Sequence, residues 1–122
     1  MATKRIKWYG SSREDLIQFP ANVKRDAGFE LDKVQNGREP TDWKPIPQWG
    51  AGVVEIRLHG EDGAFRVVYV AKLGDEICVL HSFNKKTQAT SPKDVDIIKK
   101  RYKQAAADAT AAVIEAKWRK TK

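Results

Sequence analysis

The 122-residue chain reads as an α+β protein built on an antiparallel sheet. Three patterns carry that reading. Between Val53 and Lys86, three β-rich runs are separated by two short turns containing Gly and Asp, the form of a three-stranded meander. Before it, Val23, Ala27, Leu31 and Val34 recur on one helical face. After it, Val95, Ile98, Tyr102, Ala105, Ala109, Ala112 and Ala116 follow at three-four spacing. The expected order is one strand, a hairpin of two helices, the meander and a long C-terminal helix.

Arg5 to Tyr9 alternates and predicts the first strand, with Ile6 and Trp8 turned to the core and a strand of the meander as partner. Gly10 ends it. Ser11 with Glu14, or Ser12 with Asp15, can form a capping box for a helix carrying Leu16, Ile17 and Phe19. That helix is short because Pro20 disfavours helical geometry at Phe19. Pro20 can open the second helix, and Asn36-Gly37 supplies its stop. Gly28 inside it costs about 1 kcal/mol against Ala. The hairpin's apolar face is the natural cover for one face of the sheet.

Residues 37–52 hold three prolines, Trp43 and Trp49. They predict an ordered loop, with the tryptophans either pinning it to the body or, as for Trp49, stacking on a nucleobase. The first meander strand puts Val54, Ile56 and Leu58 on one face and Glu55, Arg57 and His59 on the other. That second face would also receive Arg66 from the next strand and end near Lys85 and Lys86. Fixed cations on a rigid sheet suggest an anionic ligand. Ser91-Pro92-Lys93-Asp94 then reads as a cap, a first-turn proline and an acid at the third position, opening a helix to about Lys117. Its alanine stripe allows close packing but buries little area. Lys117, Arg119, Lys120 and Lys122 form a basic tail.

The net charge of +7 and pI near 9.6 permit a polyanionic partner. No apolar run is long enough to span a membrane, and the N-terminus lacks the apolar core of a secretory signal. Cys78 alone excludes an internal disulfide framework and a cysteine-based zinc site. A cytoplasmic location is expected. His59 and His81 lie apart, without metal-ligand spacing, so neither a metal nor any other cofactor is expected.

The Glu-Ile-Arg-Leu, Phe-Arg-Val-Val-Tyr-Val and Leu-His-Ser-Phe-Asn-Lys-Lys-Thr-Gln runs, in this order, resemble the HigB/RelE-type toxins of bacterial toxin–antitoxin pairs, nearest to a phage-derived HigB-like branch. The resemblance covers about residues 3 to 104. It divides the chain into a toxin domain, 1–104, and an alanine-rich helical extension of that domain, 105–122. It implies a RelE-like microbial RNase fold and a ribosome-dependent mRNA endoribonuclease. It also implies mRNA and rRNA of the ribosomal A site as partners, with an antitoxin, expected to be a helix-turn-helix protein, as the neutralising partner. Arg66 matches the family's arginine on the scissile phosphate. Arg57 matches a basic sheet position near the 2′-hydroxyl or phosphate, and Lys85 and Lys86 match a basic pair after the last strand. No residue aligns with the C-terminal catalytic tyrosine or histidine of many relatives; Tyr102 reads as core.

RNA cleavage by its own 2′-hydroxyl needs a base, a stabilised phosphorane and a proton for the leaving oxygen. Arg57 and Arg66 suit the phosphorane. Glu55 or His81 is the candidate base, and Lys85 or Lys86 can assist the leaving oxygen. Against this stand plainer readings: Glu55 and Arg57 as a surface ion pair, and the histidines as packed or surface residues. A binding module without catalysis, using the same basic face, and a structural phage protein that oligomerises through the last helix are the competing functions.

Overall fold

The computed structural model describes residues 3–61 and 63–120. Asp62 of the first meander turn and Lys122 of the basic tail lie outside them. The elements are β1 (Arg5–Trp8), α1 (Ser12–Ile17), α2 (Ala21–Gln35), β2 (Trp43–Pro45), a 3-10 turn (Pro47–Trp49), β3 (Val53–Gly60), β4 (Gly63–Val70), β5 (Glu76–Lys85) and α3 (Pro92–Lys120). They form one five-stranded sheet in the order β1-β5-β4-β3-β2.

The helical hairpin forms as its spacing predicts. Val23, Ala27, Leu31 and Val34 are all buried on α2. With Leu16 and Phe19 they cover Ile56, Leu58, Phe65, Val67, Tyr69, Ile77 and Val79. Ile6 and Trp8 pack against the same cluster. Pro20 sits just before α2 rather than within it, and Asn36 closes the helix. Gly37 adopts the positive φ of 79° that such a stop favours. Neither predicted capping box forms on α1. Ser11 instead bonds the Asp15 carboxylate at 2.7 Å, and the buried Ser12 hydroxyl donates to the Val79 carbonyl.

The meander is antiparallel throughout, but the sheet as a whole is mixed. β1 runs parallel to β5, pairing Arg5 with Glu76 and Trp8 with Val79. The wholly antiparallel sheet expected from the sequence is therefore corrected at this edge. The two helices carry the chain across the sheet, and so long a crossover permits parallel entry. A second correction lies in the 37–52 segment, which contributes a short edge strand. Lys44 of β2 faces Glu55 of β3.

The face opposite the hairpin is also partly covered. Ile98 and Ala105 of α3 pack with Tyr9, Val53, Val68, Val70, Cys78, Leu80 and Phe83. β4 and β5 are thus buried on both sides over much of their length, which explains their near-continuous apolar runs. The start of α3 is as predicted: Ser91 Oγ accepts from Asp94 N–H and donates to the Asp94 carboxylate. Packing continues past Gln104. Ala105 is buried, and the Asp108 carboxylate accepts from Tyr9 Oη at 2.8 Å and Lys7 Nζ at 3.1 Å. Beyond that point α3 projects, with Val113 and Ile114 exposed. Among the described residues no helix is long and apolar enough to cross a membrane.

Candidate active site

Because α3 covers only one end of its sheet face, the end near the β3–β4 hairpin stays open. Strand alternation delivers charged groups there. Arg57 and Arg66 are direct cross-strand partners, so both side chains leave the same face. Two facing cations repel, and the site answers with a carboxylate. Glu55, one step inward on that face, is 2% exposed, and its Oε1 lies 3.8 Å from Arg57 Nε and 3.7 Å from Arg66 Nε. These are ion-pair distances, longer than hydrogen bonds.

Three atoms of this cluster are orphaned. Glu55 Oε2, Arg57 Nε and Arg66 Nε are buried without a hydrogen-bond partner among the described residues. A buried polar group left so costs about 1–3 kcal/mol. Arg66, 8% exposed, is fixed by donating Nη1–H to the Phe65 carbonyl at 3.0 Å. Arg57 is more open, its side chain 35% exposed. One carboxylate between two guanidiniums leaves a net positive centre.

That centre opens into a cleft of about 440 Å³ lined by Ala64, Arg66, Lys85, Lys86, Thr87 and Gln88. Lys85 stands opposite Ala64, one same-face position beyond the Arg66–Phe83 pair. Arg57, Arg66, Glu55, Lys85 and Lys86 are therefore gathered in one region of the sheet.

Trp49 is placed elsewhere, and His81, one same-face position inward from the Arg66–Phe83 pair, is engaged by α3. His81 is 5% exposed beneath the first turn of α3. Its Nε2 is 2.7 Å from Asp94 Oδ1, its Nδ1 is 3.4 Å from Arg101 Nη1, and its ring stacks on Phe83. With Arg101 donating to Nδ1, the ring proton falls on Nε2 and goes to Asp94. Both nitrogens are engaged in holding α3 to the sheet. Burial pushes the Asp94 carboxyl upward, but the His81 and Ser91 hydrogen bonds outweigh it and hold it below its ordinary value. Trp49, at the end of the 3-10 turn before β3, packs against the α3-side core. The loop it sits in is tied down by Tyr102 Oη donating to the Ala51 carbonyl. His59 lies on the site's face at the hairpin end, exposed and 3.2 Å from Asp42.

Lys44 escapes the sequence reading. It sits among three prolines, where no strand is expected; the Trp-Lys-Pro alternation is the signal that could have found it. Asp94, which the sequence marks only as the acid at the start of α3, and Arg101 also hold His81 in place.

Fold and site together define a small α+β protein with a mixed sheet and a cationic cleft at the uncovered end of one face. Residues 14–103 match the family model described as "Phage derived protein Gp49-like (DUF891)", and the chain belongs to that family. The match takes in every residue of the cleft and leaves out β1 and the projecting part of α3. No curated protein sequence matches the chain.

Proposed function

We propose that this protein is the toxin of a toxin–antitoxin pair, a HigB/RelE-type, ribosome-dependent endoribonuclease that cleaves mRNA without a metal. The observation that carries the reading is the in-register pair of guanidiniums, Arg57 and Arg66, sharing the buried Glu55 at the head of a lysine-lined cleft. A phosphate set there meets planar guanidinium donors whose geometry matches its oxygens.

In this reading the 2′-oxygen of the substrate attacks the adjacent phosphorus as the bond from phosphorus to the 5′-oxygen breaks. The 2′-hydroxyl proton passes to the Glu55 carboxylate. The leaving 5′-oxygen takes a proton from Lys85. Arg57 and Arg66 stabilise the charge that grows on the phosphorane. The products are a 2′,3′-cyclic phosphate and a 5′-hydroxyl. His81, with both ring nitrogens occupied, serves the fold instead of the proton transfer. Lys86, the mRNA and rRNA backbones of the A site and an antitoxin that masks the cleft complete the reading, and it places the protein in the cytoplasm.

The near-complete burial of Glu55 favours a second reading, in which the cleft binds RNA or an acidic segment without cleaving it. Induced expression followed by primer extension on cellular mRNA separates the two. Growth arrest with cuts inside codons supports the nuclease, whereas arrest with intact messages supports binding alone.

A further inference from the structure

The cations of this face fall on a line. Lys44 of β2 is paired with Glu55, so Arg57 is its diagonal neighbour on β3. Arg57 is paired with Arg66 on β4. Arg66 is paired with Phe83, so Lys85 is its diagonal neighbour on β5. Directly opposite residues share a face, and diagonal neighbours lie about 7–8 Å apart. Lys44, Arg57, Arg66 and Lys85 therefore cross four adjacent strands in single file over about 20 Å. On one side of this file, toward Val70 and Cys78, α3 closes the face. On the other, toward His59 and Ala64, it is open.

Lys44 is exposed, and no hydrogen bond or ion pair engages its side chain among the described residues. Asp42, two positions earlier, does not draw it away, because the Asp42 carboxylate is held by His59. A free lysine at the end of a file whose centre is two fixed guanidiniums has an evident use.

We propose that Lys44 is a substrate-positioning residue. It holds the phosphate next to the one clamped by Arg57 and Arg66, so that a single RNA strand crosses the sheet diagonally, from β2 to the Lys85–Lys86 end. This rests on the RNA reading given above and adds the path and the strandedness. One file of cations beside a wall neutralises one backbone; a duplex would carry its second backbone away from the file.

The test is fluorescence anisotropy of a labelled, unstructured oligoribonucleotide with the full chain, repeated over a range of salt concentrations. Removing one cation from a single-strand phosphate reduces the slope of log affinity against log salt by about 0.7. Lys44→Gln should reduce it by that amount, Lys44→Arg should restore it, and Lys24→Gln, on the helical side, should leave it unchanged. Lys24 and Lys44 are both exposed, so folding is preserved. If Lys44→Gln leaves the slope intact while Arg66→Ala lowers it, Lys44 is off the path and the inference falls, with the RNA site still standing. A wild-type chain that does not bind the oligoribonucleotide even at low salt overturns both. A reduced slope in Lys44→Gln with no cleavage of cellular mRNA by wild type upholds the path and removes the nuclease.

Discussion

Arg66 stands directly across the β3–β4 ladder from Arg57, and the two guanidiniums are held together by one buried carboxylate. Like charges placed opposite each other on a sheet are destabilising. Glu55 is what makes the arrangement tolerable, so its loss should be felt in the fold before it is felt in function. Glu55→Gln should lower unfolding stability by about 3 kcal/mol, the scale for breaking a buried ion pair. Denaturant unfolding checks this. An unchanged midpoint would mean that the two arginines need no counter-charge.

Arg66 carries the greater share of the proposed chemistry because it is the more buried and the better fixed. Arg66→Ala should cut codon-directed cleavage about 10²–10³-fold, the scale for removing one donor from a developing charge. Arg66→Lys should recover little, because an ammonium cannot reproduce the planar fork. Quantitative primer extension after induction reads both. Full toxicity in Arg66→Ala would refute the clamp.

Asp94 ties α3 to β5 through His81 and is depressed in the folded protein. A depressed carboxyl adds stability above its unfolded value, and that stability is lost as the pH falls through the folded one. Urea midpoints should therefore drop as the pH is lowered past 3.8, the ordinary value for this side chain. Asp94→Asn should be less stable near neutral pH and show a shallower acid decline. Parallel curves for the two proteins would remove the coupling.

Two phenols should ionise late. Burial pushes Tyr69 and Tyr9 up to about 12, and for Tyr9 the Asp108 hydrogen bond adds to the effect. Ultraviolet difference titration should show delayed phenolate absorbance. Asp108→Asn should bring the Tyr9 component forward and leave Tyr69 in place.

The projecting end of α3 and its packed part are separable. A chain ending at Ala111 keeps Ala105 and Asp108 and should match the full chain in thermal stability. One ending at Gln104 lacks the Tyr9–Asp108 hydrogen bond and the buried Ala105 methyl, and should be weaker by about 1–2 kcal/mol. Calorimetry of both checks this. Light scattering on the Ala111 form also tests whether the projecting turns hold copies together, since an unchanged mass excludes that role.

Much of this fold is legible where a local pattern and the tertiary environment agree. The four apolar positions of α2 are all buried, and the Ser91–Asp94 start of α3 makes its predicted bonds. Glu55, Arg57 and Arg66 share a face because alternation in two strands needs no knowledge of the rest. What escaped depends on distant partners. Nothing in Arg5–Trp8 states the direction in which it will pair. In Trp43–Pro45 the short alternation is outweighed by Pro45, which is tolerated because the strand lies at the sheet edge. The hydrogen-bond contacts of His81 come from two α3 residues separated from it by 13 and 20 positions, which no local pattern announces.

The parallel union of β1 with β5 sets the order of assembly. The opening strand waits for a mate that lies about 70 residues downstream, and pairings of such long range are slow to form. During synthesis the cleft cannot close until the chain has grown past Gln88, so its lysine side is supplied only after β3 and β4 have been made.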